Sequence, residues 1–113
     1  MGTPDNNRKS AQKKWKMPFA AFTGSSQLEV ITVIANCGSQ TELATAAIFR
    51  WIQSKQTKGR TQFEILGKLE LMENKFRPFI SLHDSFHTAR RASGLPPSRV
   101  LSAGVWEISQ TSL

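Results

Sequence analysis

The segment that most constrains the fold lies between residues 61 and 72. There Phe63, Ile65, Gly67, Leu69 and Leu71 alternate with Glu64, Leu66, Lys68 and Glu70, and a period of two predicts a strand with one dry face and one wet face. Upstream, the β-branched run Val30-Ile31-Thr32-Val33-Ile34 favours a second strand over residues 28–35, buried on much of both faces and therefore central in a sheet. Between the two, Ser39-Gln40-Thr41-Glu42 fits the S-x-x-E capping box, in which hydroxyl and carboxylate satisfy backbone N–H groups at a helix start. A helix is expected to begin near Gln40. Leu43, Ala44, Ala47, Ile48, Trp51 and Ile52 recur at helical spacing, and Lys55, Lys58 and Gly59 supply a cationic, breaker-rich stop. The order strand, helix, strand predicts an α+β fold, a small antiparallel or mixed sheet packed by one main helix at about residues 40–55, with the Trp51 face on the sheet.

The rest reads as additions to that unit. Glu73-Asn74-Lys75 leads into Phe76-Arg77-Pro78-Phe79-Ile80-Ser81-Leu82, a plausible return strand of a hairpin. Pro78 cannot donate to a ladder, so that strand belongs on an edge or contains a break. Ser93 to Ser98 is a loop whose Pro96-Pro97 pair exposes a short extended segment, either a rigid connector or a docking motif. Val100-Leu101 and Val105-Trp106-Glu107-Ile108 read as one or two short strands broken at Gly104. A chain of 113 residues is one domain at most and can hold a modest core without disulfides or metal. The expected division is a flexible basic arm over residues 1–16 and a single globular α+β domain over 17–113.

Charge says more about partners than about fold. Fifteen Lys and Arg against eight Asp and Glu give a net charge of +7, which predicts an anionic partner such as nucleic acid, acidic lipid or an acidic protein surface. The arm alone holds Arg8, Lys9, Lys13, Lys14 and Lys16 against Asp5, with too few apolar side chains to offset the entropy of ordering itself. At its end, Trp15, Lys16, Met17, Pro18, Phe19 and Phe22 mix cations with large apolar groups. Such a junction can insert rings at a lipid interface, stack on bases, or anchor the arm to the core. Lys55, Lys58 and Arg60 form a second basic cluster around Gly59, alternatively a solvated turn. Arg90 and Arg91 form a third, made pH-sensitive by His83 and His87 if these titrate near neutrality.

Several functions are excluded or disfavoured. No apolar run approaches the roughly 18 residues of a membrane span, and no apolar core follows the basic start as in a secretory signal. The N-terminus resembles a myristoylation signal, but Asn6 stands where Ser or Thr is preferred and Pro4 lies inside the window. The single cysteine, Cys37, excludes an intramolecular disulfide. His83-Asp84-Ser85-Phe86-His87 offers two nitrogens on one helical face, fewer than the three protein ligands of catalytic zinc, and it lacks the H-E-x-x-H order. Phosphate-binding, dinucleotide-binding and nucleophile-elbow motifs are absent, and the carboxylates are scattered. A non-enzymatic protein without a cofactor is expected.

The order of features from Leu28 onward resembles the globular part of rhabdovirus matrix proteins. The matching pieces are Glu29-Val30-Ile31-Thr32-Val33, a polar turn, a helix with Trp51 late on its buried face, the link Lys58-Gly59-Arg60, the segment Phe63-Glu64-Ile65-Leu66, and Gly104-Val105-Trp106. The lysine-rich arm is similar too. The resemblance implies a virion protein that condenses ribonucleoprotein under an acidic membrane and self-associates, located in the virion and in the host cytoplasm or at the inner membrane surface. A Pro-Pro-x-Tyr budding signal is not possible in a chain with no tyrosine. The alternatives are a small basic protein binding single-stranded nucleic acid, and a protein-interaction module using the Pro78 edge and the Pro96-Pro97 loop.

Overall fold

The computed structural model describes residues 19–98. They form α1 (Gln27–Asn36), α2 (Thr41–Thr57), α3 (Gln62–Lys75) and α4 (Ile80–Ala92), and among the described residues there is no strand. The expected α+β fold is overturned in favour of a helical bundle. The basic arm over residues 1–16 and the closing segments at Val100 to Ile108 lie outside the described residues.

Two helices replace the two expected strands, and each has a local cause. Ser26-Gln27-Leu28-Glu29 is itself a capping box: the Ser26 hydroxyl accepts the Glu29 N–H at 3.2 Å and the Glu29 carboxylate accepts the Ser26 N–H at 3.2 Å. From there Val30, Val33 and Ile34 fall on one face and are buried. The β-branched residues of α1 cost the helix a few tenths of a kcal/mol each, whereas burying each of those three side chains contributes about 1.5–3 kcal/mol. Burial wins. In α3, Thr61 is the N-cap and its hydroxyl accepts the Glu64 N–H at 3.2 Å. Ile65, Leu69 and Met72 make the buried stripe, while Phe63 and Leu71 of the apparent alternation stand outside at 87% and 66% exposure. The period of two was shared by two faces of a helix.

The main helix lies where the sequence places it, but starts differently. Gln40 is its N-cap and makes no side-chain capping bond, so Ser39-x-x-Glu42 does not form the expected box. Ala44, Ala47, Ile48, Trp51 and Ile52 are fully buried, and α2 packs most extensively on α4, then on α1. Trp51 therefore faces helices rather than a sheet. Gly59, with φ +78°, reverses the chain after α2 in a conformation that other residues adopt only with strain. Gly24 shares that φ, and a Cβ there would stand 3.2 Å from the Arg50 carbonyl oxygen, so it is needed for close approach as well.

The expected return strand is a turn followed by α4. Phe76 caps α3 and is buried; Arg77 and Pro78 lie in the turn. Leu82, Ser85, Phe86 and Ala89 then recur at helical spacing and are buried. Residues 93–98 form the expected loop. A buried ion pair ties that loop to α3: Arg90 Nη1 donates to Glu73 Oε1 at 2.8 Å, Nε to the Pro96 carbonyl at 2.8 Å and Nη2 to the Pro97 carbonyl at 3.2 Å. The Ser98 hydroxyl donates to the other Glu73 oxygen.

Candidate anion-binding surface

Four cations of the described residues gather where α1 starts, α2 ends and α3 starts. Lys55, in the last turn of α2, is only 8% exposed. Its ammonium donates to the Ser25 carbonyl at 2.6 Å and stands 5.6 Å from the centre of the Trp51 ring. Lys58 is the exposed C-cap of the same helix. Arg60 follows Gly59 and sits 3.9 Å from Glu64, both half in solvent, a separation at which an exposed pair contributes little. Lys68 is one turn further along α3, and its carbonyl accepts a hydrogen bond from the Gln27 side chain at 3.2 Å.

These four groups share one field. Burial pushes the Lys55 ammonium below the usual lysine range, and Lys58, Lys68 and Arg60 push it the same way, opposed by Glu29. Glu29 neutralises little of that field, because its carboxylate is turned inward on the loop before α1. It accepts from the Thr23 N–H and hydroxyl at 2.9 and 2.8 Å and from the Ser25 N–H and hydroxyl at 3.1 Å each. Those bonds, the Thr23 N–H foremost, hold its pKa at about 2.

Comparison finds no protein family, no curated protein and no solved structure that matches this chain. The functional reading therefore stands on geometry. Of the residues singled out in the sequence, the structure brings Lys55, Lys58 and Arg60 together and adds Lys68, which the strand reading had placed on the wet face without linking it to them. Lys55 is the buried floor of the cluster rather than a surface contact. Arg90 does not face solvent: its guanidinium is spent on Glu73 and the proline carbonyls, and of that third cluster Arg91 alone is exposed. His83 and His87 lie one turn apart on α4, with His83 Nε2 2.8 Å from the Arg77 carbonyl oxygen. Among the described residues no group of three metal-ligating side chains converges.

The aromatic candidates separate in the same way. Phe19 stacks on Phe22 with centroids 6.1 Å apart, and the Arg50 guanidinium covers both rings at 5.4 and 5.8 Å, so Phe19 anchors the chain to the core. Phe76, a candidate for base stacking, is buried. The most exposed ring among the described residues is Phe63, in the first turn of α3, which the alternation had assigned to a dry face; Phe79, before α4, is exposed as well. Arg8, Lys9, Lys13, Lys14, Trp15 and Lys16 lie outside the described residues. No helix among the described residues is long and apolar enough to cross a membrane.

Proposed function

We propose that this is a non-enzymatic assembly protein, matrix-like in role, that adheres to an acidic membrane surface and to ribonucleoprotein and self-associates there. The supporting observation is the convergence of Lys58, Arg60 and Lys68 above the buried Lys55. Convergent cations raise the local concentration of an anionic surface even where each contact is weak. The basic arm adds five more cations to the same chain. A virion, with the host cytoplasm or inner membrane surface as the site of assembly, is the setting that fits such a protein.

Each cation near an acidic bilayer contributes about 1 kcal/mol. Lys58→Gln and Lys68→Gln are therefore expected to weaken binding to vesicles of acidic phospholipid by roughly five-fold each, and removal of residues 1–16 by more. Binding to neutral vesicles should be negligible, and rising salt should weaken the acidic case. Equal binding by the wild-type chain to neutral and acidic vesicles sinks the reading. A second reading, binding of single-stranded nucleic acid, is favoured by Phe63, whose ring is 87% exposed three residues from Arg60, since rings beside cations stack unpaired bases. Single-stranded RNA run in parallel separates the two: tight RNA binding with weak vesicle binding supports the second.

A further inference from the structure

Helix α3 carries an apolar face that nothing among the described residues covers. Phe63, Gly67 and Leu71 are four residues apart and share the side of the helix opposite the buried stripe of Ile65, Leu69 and Met72. Phe63 is 87% and Leu71 66% exposed. Nothing among the described residues explains the glycine between them. Its φ is not positive, and a Cβ built on it meets nothing within 4 Å, yet a mid-helix glycine costs about 1 kcal/mol relative to alanine.

We infer that this face packs against the same face of a second copy of the chain, with the two α3 helices antiparallel and crossing at Gly67. The inference rests on the self-association in the proposed function and names its surface. Three features of α3 fit that arrangement together. Phe63 and Leu71 are equidistant from Gly67, so a twofold axis through the glycine sets each Phe63 level with Leu71 of the second copy. The missing side chain at the crossing lets the helix axes approach. An antiparallel twofold also brings each flank of the helix against itself. On the flank carrying Glu64 and Lys68, Glu64 of one copy then lies two residues, about 3 Å along the axis, from the level of Lys68 of the other, and the reverse contact repeats it. By the same count the two Lys68 also lie about 3 Å apart in level, so the shared flank sets two Glu64–Lys68 attractions against one Lys68–Lys68 repulsion, and attraction prevails.

Leu28, 72% exposed, follows Gln27, whose side chain holds the Lys68 carbonyl, so the start of α1 extends the patch at that edge. The large exposed side chains of the face are few, against the roughly 20–30 residues a side of a standard stable interface, and the expected dimer is weak, with a dissociation constant on the order of 10–100 µM.

Sedimentation equilibrium of the full chain, across that concentration range, tests it. The wild-type chain should pass from monomer to dimer. Phe63→Ser with Leu71→Ser should raise the dissociation constant at least ten-fold while leaving helical circular dichroism and thermal midpoint in place, because both side chains are exposed. Lys68→Glu should weaken pairing, and Glu64→Lys added to it should restore it. Gly67→Cys, on the axis, should oxidise to a covalent dimer, whereas Phe63→Cys should not, its two copies standing about 12 Å apart along the axis. The native Cys37 is buried and at 1% exposure does not compete. A chain monomeric throughout, a dimer that survives the double serine variant, or crosslinking through Phe63→Cys but not Gly67→Cys overturns the proposal. So does a monomer whose RNA binding depends on Phe63, which would make the ring a stacking platform. A wild-type chain that stays monomeric yet prefers acidic vesicles removes this inference alone, and a wild-type chain that dimerises yet shows no preference for acidic vesicles removes the adhesion reading alone.

Discussion

Replacing Arg90 by methionine is the most informative perturbation of the fold. Arg90 is 5% and Glu73 1% exposed, and their 2.8 Å contact is the ion pair that fastens the 93–98 loop to α3. Removing one partner of such a pair leaves an uncompensated charge in the interior and costs about 3–5 kcal/mol. Arg90→Met belongs at the upper end of that range, because Glu73 then keeps only the Ser98 hydroxyl among the partners described above. Glu73→Gln should cost less, on the order of 1–2 kcal/mol, since the amide oxygen can still accept from Nη1 and the guanidinium keeps the Pro96 and Pro97 carbonyls. The double variant Glu73→Met/Arg90→Met removes both charges together. It should therefore be less destabilised than the sum of the single methionine variants, by a coupling of about 2–3 kcal/mol. Urea unfolding followed at 222 nm measures the wild type, these three variants and Glu73→Met, and for a fold this size 1 kcal/mol corresponds to roughly 4–8 °C in thermal midpoint. An Arg90→Met chain within 0.5 kcal/mol of wild type, or single effects that simply add, would refute the reasoning.

Two further perturbations follow from the same packing. Glu29 titrates at about 2 instead of 4.5 because the loop before α1 hydrogen-bonds its ionised form; a lowered folded pKa contributes stability that is complete above pH 4.5 and lost as pH falls toward 2. Discounted for its partial exposure, the contribution is about 1 kcal/mol, and Glu29→Gln should flatten that part of an acid titration followed by circular dichroism; an unchanged acid limb counts against it. Trp51 is fully buried, but among the described residues its indole N–H has no hydrogen-bond partner, so Trp51→Phe loses volume without losing a bond there and should cost about 1–2 kcal/mol, against roughly 3–5 for Trp51→Ala. Urea midpoints check both, and a phenylalanine variant as unstable as the alanine variant would mean the N–H is bonded after all.

The amino-acid sequence carries the helices in its caps more clearly than in its periodicity. It contains Ser26-x-x-Glu29, Ser39-x-x-Glu42 and Thr61-x-x-Glu64. The first and third cap helices, while the middle one, on which the strand-helix-strand reading relied, makes no side-chain cap. The β-branched run of α1 and the alternation of α3 outweighed those signals because both are local. What decides them is the non-local burial of Val30, Val33 and Ile34 and of Ile65, Leu69 and Met72 on neighbouring helices, which no window of sequence contains. α2 was legible because its apolar spacing, cationic end and Gly59 agree. At the site, Lys55, Lys58 and Arg60 are adjacent in sequence, so their grouping could be read. Lys68 joins them only through the angle between α2 and α3. Arg90 was misread as surface because its partner, Glu73, lies seventeen residues away on another helix.

The cationic corner and the apolar face also bear on one another, since both are built on α3. In an antiparallel pairing about Gly67, the flank that holds Arg60 and Lys68 meets the same flank of the second copy, so both corners face the same side of the dimer. Arg60 is seven residues from Gly67, which puts its two copies about 20 Å apart along the helix axes, with the two Lys68 between them. A surface engaged by one corner is then within reach of the other, and the second contact forms at the high effective concentration of a linked site. Pairing too weak to persist free in dilute solution is reinforced wherever the chain is concentrated on an anionic surface, and adhesion is reinforced by pairing. Phe63→Ser with Leu71→Ser alters no charge, yet it should lower the apparent affinity for acidic vesicles and reduce the steepness of binding with protein concentration. An unchanged vesicle isotherm for a variant shown to be monomeric would mean that each corner acts alone.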